Sequence, residues 1–160
     1  HRVILTPLVE TAPAALELVD WMWRLAGAEV VHMEAGEHDR VLAMTSHLPH
    51  VLAFSLVDSL ARQPASADIF RFAAGGFRDF TRIASSDAVM WRDITLANRD
   101  ALLEAIDGFS LSLLGLREAI AASDGARIQE VFERARSARE IYLRWLEENT
   151  QQQKRTETGE

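Results

Sequence analysis

The residues best suited to chemistry fall in two short stretches. The first is Ser46-His47-Leu48-Pro49-His50. His47 and His50 stand i, i+3, so on a helix they share a face. A neutral imidazole offers one donor and one acceptor. Pro49 within a helix removes the hydrogen bond to the Thr45 carbonyl and predicts a kink there. The freed carbonyl, the Ser46 hydroxyl and the two rings would then form a polar patch able to meet a polar ligand. The pair reads equally as two core histidines satisfied by backbone carbonyls. His38 lies nine residues before His47, and nine steps of about 100° put it on the opposite side of a straight helix. With no Cys in the chain and no HExxH pattern, a metal-dependent enzyme built on His38, His47 and His50 is a minor reading.

The second stretch is Gly75-Gly76-Phe77-Arg78-Asp79-Phe80-Thr81-Arg82, the least regular in the chain. Two glycines permit backbone close to a ligand or another chain. They are not a phosphate loop, because neither G-x-x-x-x-G-K-[ST] nor G-x-G-x-x-G spacing is present. Phe77 and Phe80 make the segment amphipathic, so the Arg82 guanidinium is expected near the interior, where it needs an anion. That anion is either Asp79 or a ligand carboxylate gripped bidentately. Trp91 follows closely and reads as core or as the wall of a site.

The elements that must position these residues change character along the chain. Val3-Ile4-Leu5-Thr6-Pro7 reads as a strand closed by proline. Thr11 is a plausible N-cap, Pro13 suits a first helical turn, Leu16 to Ala26 recur at helical spacing, and Gly27 supplies a C-cap. Glu29 to Met33 reads as a second strand, so residues 1–33 form a βαβ-like unit. From Glu34 to Arg62 there is one long helical pattern, apolar nearly all round over Val41–Val57. A shorter helix is predicted over Ala67–Ala73. Asp87 can cap a helix through Trp91 and Ile94, and another runs from Asp100 to Ala122 until Asp124-Gly125. A last helix carries Ile128, Val131, Phe132, Ala135, Ala138, Tyr142 and Trp145 on one stripe. Gln151–Glu160 is polar and aperiodic and reads as a disordered tail or linker.

Composition bounds the function. The chain has 160 residues, 17 basic against 24 acidic, and a net charge of −7. That charge argues against a nucleic-acid binder, which needs clustered Lys and Arg. No run of about 18 unbroken apolar residues is present, so no membrane association is expected. No signal-peptide pattern precedes the first element, which makes the cytoplasm the expected compartment. The chain opens without Met directly into a strand and reads as a piece of something longer. The helix over 102–116 has no polar face. Two such helices are hard to bury in one small protomer, so a symmetric dimer is expected rather than a monomeric bundle.

At these residues the sequence resembles the prephenate and arogenate (cyclohexadienyl) dehydrogenase family. Val3-Ile-Leu-Thr-Pro7 looks like the last inner strand of that family's nucleotide domain. His38-Asp39 leading to Thr45-Ser-His-Leu-Pro-His50 is similar to its long central helix. Gly75 to Ala84, with Ser86-Asp87 and Met90-Trp91-Arg92-Asp93, resembles its substrate loop and following helix.

The resemblance implies an intact protein with an N-terminal Rossmann-type domain for NAD or NADP and a C-terminal helical domain that forms a homodimer. It implies oxidative decarboxylation of prephenate, or of arogenate, in tyrosine biosynthesis, with tyrosine as a feedback inhibitor within the family. Residue by residue, Arg82 would grip the substrate's ring carboxylate and His50 would contact its side-chain end. Ser46, His47, Gly75 and Trp91 would line the pocket, and Asp79 with Arg78 would belong to the supporting ionic network. The family's glycine-rich loop and catalytic residues have no match here, so no catalytic or cofactor-binding residue is assigned and the chain alone is expected to be inactive.

The expected fold class is therefore mostly α: a helical dimerisation and substrate-binding domain at 34–150, preceded at 1–33 by a short βαβ remnant of a Rossmann-type domain. A helical interaction module without a ligand is the rival from another class.

Overall fold

A computed structural model describes the backbone of residues 1–158 and the side chains of residues 1–150. It divides into two compact units, His1–Gly108 and Phe109–Glu160.

The first unit begins with β1 (Arg2–Leu5), α1 (Pro13–Leu25) and β2 (Glu29–His32). The strands pair in parallel, Val3 opposite Val30 and Leu5 opposite His32, the βαβ arrangement expected for 1–33. Pro13 stands in the first turn of α1, but the N-cap is Ala12, which makes no side-chain bond. Thr11 instead accepts from the Leu8 N–H through Oγ1 at 2.9 Å, holding the preceding turn rather than the helix. Gly27, at φ 82°, closes α1. Its N–H bonds the Arg24 carbonyl at 2.9 Å and the Ala28 N–H bonds that of Trp23 at 3.0 Å, a Schellman ending that requires the left-handed residue. Arg24 also donates to the Val30 carbonyl at 3.1 Å, and Asp20 pairs with Arg24 and, at 2.6 Å, with His32. This network ties α1 to β2. None of α1 is buried, and Trp21 and Leu25 are 61% and 71% exposed.

The long helical pattern after Glu34 is a continuous run in three parts: α2 (Ala35–Leu42), a π turn (Ala43–His47) and α3 (Leu48–Ala61). Glu34 caps it by accepting from the Glu37 N–H at 2.8 Å. The irregularity expected at Pro49 lies one turn upstream. Wider π winding over 43–47 lets α3 restart at Leu48, so Pro49 sits in a first turn, where a missing N–H costs least. By length and composition alone, Ala35–Ala61 is apolar enough to cross a membrane, a property shared with the central helices of helical domains. Within it Ala43, His47, Leu48 and Ala53 are buried.

Then come α4 (Ser66–Arg71), α5 (Gly75–Thr81), a 3-10 turn (Arg82–Ser85), α6 (Ala88–Ala97) and α7 (Arg99–Ala121). The Gly75–Arg82 stretch, expected to be irregular, is thus helical. Its glycines sit in the first turn of α5, where their helix cost is smallest, and α5 and the 3-10 turn pack against α3. Asp87 caps α6 as expected, accepting from the Met90 N–H at 2.7 Å. Among the described residues, Leu102 is the largest side chain that is fully buried.

The second unit holds the end of α7 and α8 (Gly125–Thr158). The positive φ between them falls on Ser123, at 54°, one residue before the expected Asp124-Gly125 break. Ala119 is buried, whereas Leu111, Leu113, Leu114, Phe132 and Tyr142 are exposed. The helix at 102–116 is therefore largely uncovered, as the dimer argument requires of one protomer. The expected tail, 151–160, lies outside the residues described with side chains, although the bounds of α8 run to Thr158.

Candidate functional site

The π turn, α3 and α6 bring four of the expected residues together: Ser46, His47, His50 and Trp91. The His50 ring stacks on the Trp91 indole, with centroids 3.5 Å apart and planes 17° apart. Its Nδ1 lies 2.8 Å from the Ser46 carbonyl oxygen. That oxygen can only accept, so Nδ1 carries a proton and Nε2 is left for another partner. Ser46 thus enters through its backbone. The Thr45 hydroxyl donates back to the Val41 carbonyl at 2.7 Å.

His47 meets the same indole edge-on, at 6.2 Å and 75°. It is buried, and its Nδ1 lies 3.0 Å from Nδ2 of Asn98. The same Nδ2 donates to the Asp39 carbonyl at 2.8 Å. Burial holds His47 below the usual histidine value of 6.5. The charges of His38 and His50 push the same way, and Asp39 partly opposes them. His38 is therefore near enough to act on His47, although straight-helix spacing puts it opposite; the π turn changes the phase between them. Among the described residues no three His, Asp or Glu are grouped to hold a metal.

Sequence reasoning did not single out Asn98. It is buried at the C-cap of α6, and its one sequence signal is a polar residue ending an amphipathic helix. Trp91 Nε1 is sealed from solvent and has no hydrogen-bond partner among the described residues, at a typical cost of about 1–3 kcal/mol. Trp91 also lines an open cavity of about 320 Å³ between α3 and α6, together with Val51, Phe54, Ala88, Thr95 and Leu96.

Two expectations for the second stretch change. Arg82 is exposed rather than held near the interior, and it makes no ion pair or hydrogen bond with the described residues. Hydration satisfies an exposed guanidinium, so Asp79 is not drawn to it. Asp79 lies 3.6 Å from Arg78 instead, and both are well exposed. Gly75 opens α5, and a Cβ there would meet nothing within 4 Å, so no close approach among the described residues demands glycine. The β1–α1 connection, Thr6 to Ala12, contains no glycine and so does not carry the dinucleotide fingerprint.

What the assembled groups can do is bind. Two imidazole Nε2 atoms and an unpaired guanidinium lie on elements packed against one another, and they suit a small, oxygen-rich organic acid. No activated nucleophile is among them.

Comparison with known proteins gives a consistent picture. Residues 34–134 match the family profile described as "Prephenate dehydrogenase, dimerization domain". The chain is 42% identical over 141 residues to the cyclohexadienyl dehydrogenase of Zymomonas mobilis, covering 87% of this chain and 48% of that protein. It is 38% identical over 138 residues to the prephenate dehydrogenase of Bacillus subtilis, covering 86% and 37%. The crystal structure of prephenate dehydrogenase from A. aeolicus, in complex with hydroxyphenyl propionate and NAD+, superposes with a TM-score of 0.81 at 41% identity, over 88% of this chain and 50% of that one. The chain spans about half the length of these relatives or less.

Proposed function

The chain belongs to the prephenate dehydrogenase family, and on that premise we propose that it is the substrate-binding and dimerising half of a dehydrogenase of tyrosine biosynthesis. The whole protein would convert prephenate to 4-hydroxyphenylpyruvate by oxidative decarboxylation, with NAD or NADP as hydride acceptor and the cytoplasm as its compartment. The dinucleotide would be held mainly by the nucleotide domain, and this chain's part would be to bind and orient the acid. The uncovered apolar face of α1 would lie against the remainder of the nucleotide domain.

In this reading Arg82 pairs with the ring carboxylate and His50 Nε2 meets the side-chain end. Ser46 anchors His50. His47, Gly75 and Trp91 line the pocket, and the Arg78–Asp79 pair lies beside it. A homodimer would cover the exposed leucines of α7, and tyrosine would act as a feedback ligand. The observation that carries the reading is the unpaired Arg82 guanidinium on a turn packed against the imidazole-bearing α3. An internal structural arginine, as in the rival reading of a ligand-free module, would have its carboxylate in place.

The relative named cyclohexadienyl dehydrogenase favours a second substrate, arogenate, whose amino group replaces the keto oxygen. Initial rates of the full-length protein test both, with prephenate and with arogenate, each with NAD and NADP. Reduction of a dinucleotide with prephenate is expected. No reduction with either acid overturns the proposal.

A further inference from the structure

We propose that Asn98 is a positioning residue for His47: its carboxamide fixes the imidazole as the neutral Nε2–H form and makes it a donor toward an acidic ligand. This rests on the substrate-binding reading above. The assignment follows from which atoms can donate. The Asp39 carbonyl only accepts, so the Asn98 atom 2.8 Å away is the amide nitrogen. That nitrogen carries two protons and accepts nothing. The same nitrogen lies 3.0 Å from His47 Nδ1. Nδ1 must therefore accept, and the ring proton resides on Nε2. Protonating His47 would set Nδ1–H against the amide N–H, donor facing donor, so the amide also holds the ring neutral. Burial acts in the same direction.

Asn98 has little freedom to do otherwise. Its backbone N–H donates to the Ile94 carbonyl and its carbonyl accepts from the Leu102 N–H, both at 3.1 Å. The side chain is buried between two partners. His47 Nε2 has no hydrogen-bond partner among the described residues. The sealed, unpartnered side-chain nitrogen or oxygen among the described residues is Trp91 Nε1, so His47 Nε2, though its residue is buried, is not itself fully closed off from solvent or a ligand. The two imidazoles therefore present unlike atoms. His47 offers an N–H at any pH at which the ring is neutral. His50, pinned through its own Nδ1–H, offers a lone pair until it is protonated. A carboxylate or keto oxygen is thus met by a donor that does not depend on proton uptake, which favours acceptor groups over amines at that position.

The test uses full-length protein with 15N-labelled histidine. In the wild type, the His47 ring nitrogens are expected to show Nδ1 bare and Nε2 protonated. Asn98→Asp keeps the shape but only accepts, so it should draw the proton to Nδ1. It should also raise KM for prephenate roughly ten- to hundredfold, the range for losing one hydrogen bond to a charged group, with kcat changed less. A protonated Nδ1 in the wild type overturns the proposal without any variant having to fold. An unchanged tautomer in Asn98→Asp overturns it as well. If the tautomer reverses and KM stays constant while Arg82→Ala raises it, the positioning role fails and the substrate reading stands. If neither variant moves KM, the substrate reading fails and the proposal with it.

Discussion

The His50 imidazole lies flat on the Trp91 indole, centroids 3.5 Å apart, while its Nδ1 is held 2.8 Å from the Ser46 carbonyl. One contact sets the plane of the ring and the other sets its rotation within that plane. Together they aim Nε2 without any ionic partner, so the orientation does not depend on salt.

Trp91→Leu removes the plane-setting contact. A half-buried indole replaced by a smaller side chain should cost about 1–3 kcal/mol of stability, read by denaturant unfolding. KM for prephenate should rise by more than tenfold, because His50 regains rotational freedom. Unchanged kinetics in a folded variant would contradict the aiming role of the stack.

Arg82→Ala should leave stability within about 0.5 kcal/mol of wild type, since the side chain is exposed and unpaired. KM for prephenate should increase at least tenfold in the full-length enzyme. Arg82→Lys should recover only part of this, because an ammonium cannot bind a carboxylate bidentately. Thermal melts and steady-state kinetics check the two halves separately.

Stability should depend on pH through His47. Its folded value is depressed below 6.5 by burial and by the charges of His38 and His50. Well above pH 6.5 both the folded and the unfolded forms are neutral there, and the site imposes no penalty. As pH falls below 6.5, the unfolded chain takes up a proton that the folded chain refuses. Stability is then lost by up to about 1.4 kcal/mol per unit of depression. His47→Asn, which can still accept from Asn98 at the same position, should flatten that slope in unfolding titrations between pH 7.5 and 5.5.

The 17.9 kDa chain should sediment at twice its mass. Leu111→Glu with Leu114→Glu places charge on the exposed face of α7 and should shift the species to monomer. A wild-type chain that runs as a monomer at high micromolar concentration would contradict the dimer.

Mixed with NAD and prephenate, the 160-residue chain alone should produce no absorbance at the NADH wavelength. Turnover by this chain would contradict the division of labour proposed here.

Much of the arrangement was legible because it follows local rules. The βαβ edge came from β-branched runs around an amphipathic helix, Gly27 from the left-handed residue a Schellman ending needs, and Asp87 from ordinary capping. The i, i+3 spacing places His47 and His50 together, whereas Trp91, which sequence spacing puts beside the Arg82 segment, is grouped with them only by the family resemblance. Three things were illegible, each for a reason of packing. The Gly75–Thr81 helix forms because α5 lies against α3, which overrides a weak helical propensity. Arg82 was expected inside because neighbouring phenylalanines were read as burying it, yet long cationic side chains carry their heads to water. Asn98 was passed over because its partners, Asp39 and His47, are 59 and 51 residues away in sequence, and no local spacing reports such a contact.

A π turn is an α-helix with one surplus residue wound into it. Deleting Met44 from the Ala43–His47 turn would restore ordinary winding and swing everything before it by about 100° about the helix axis. The Asp39 carbonyl would leave the Asn98 amide, and His38 would move away from His47, while every side chain named in the site remained in the sequence. The five-residue turn thus acts as the gear that meshes α2 with the end of α6, and a one-codon deletion there would strip it.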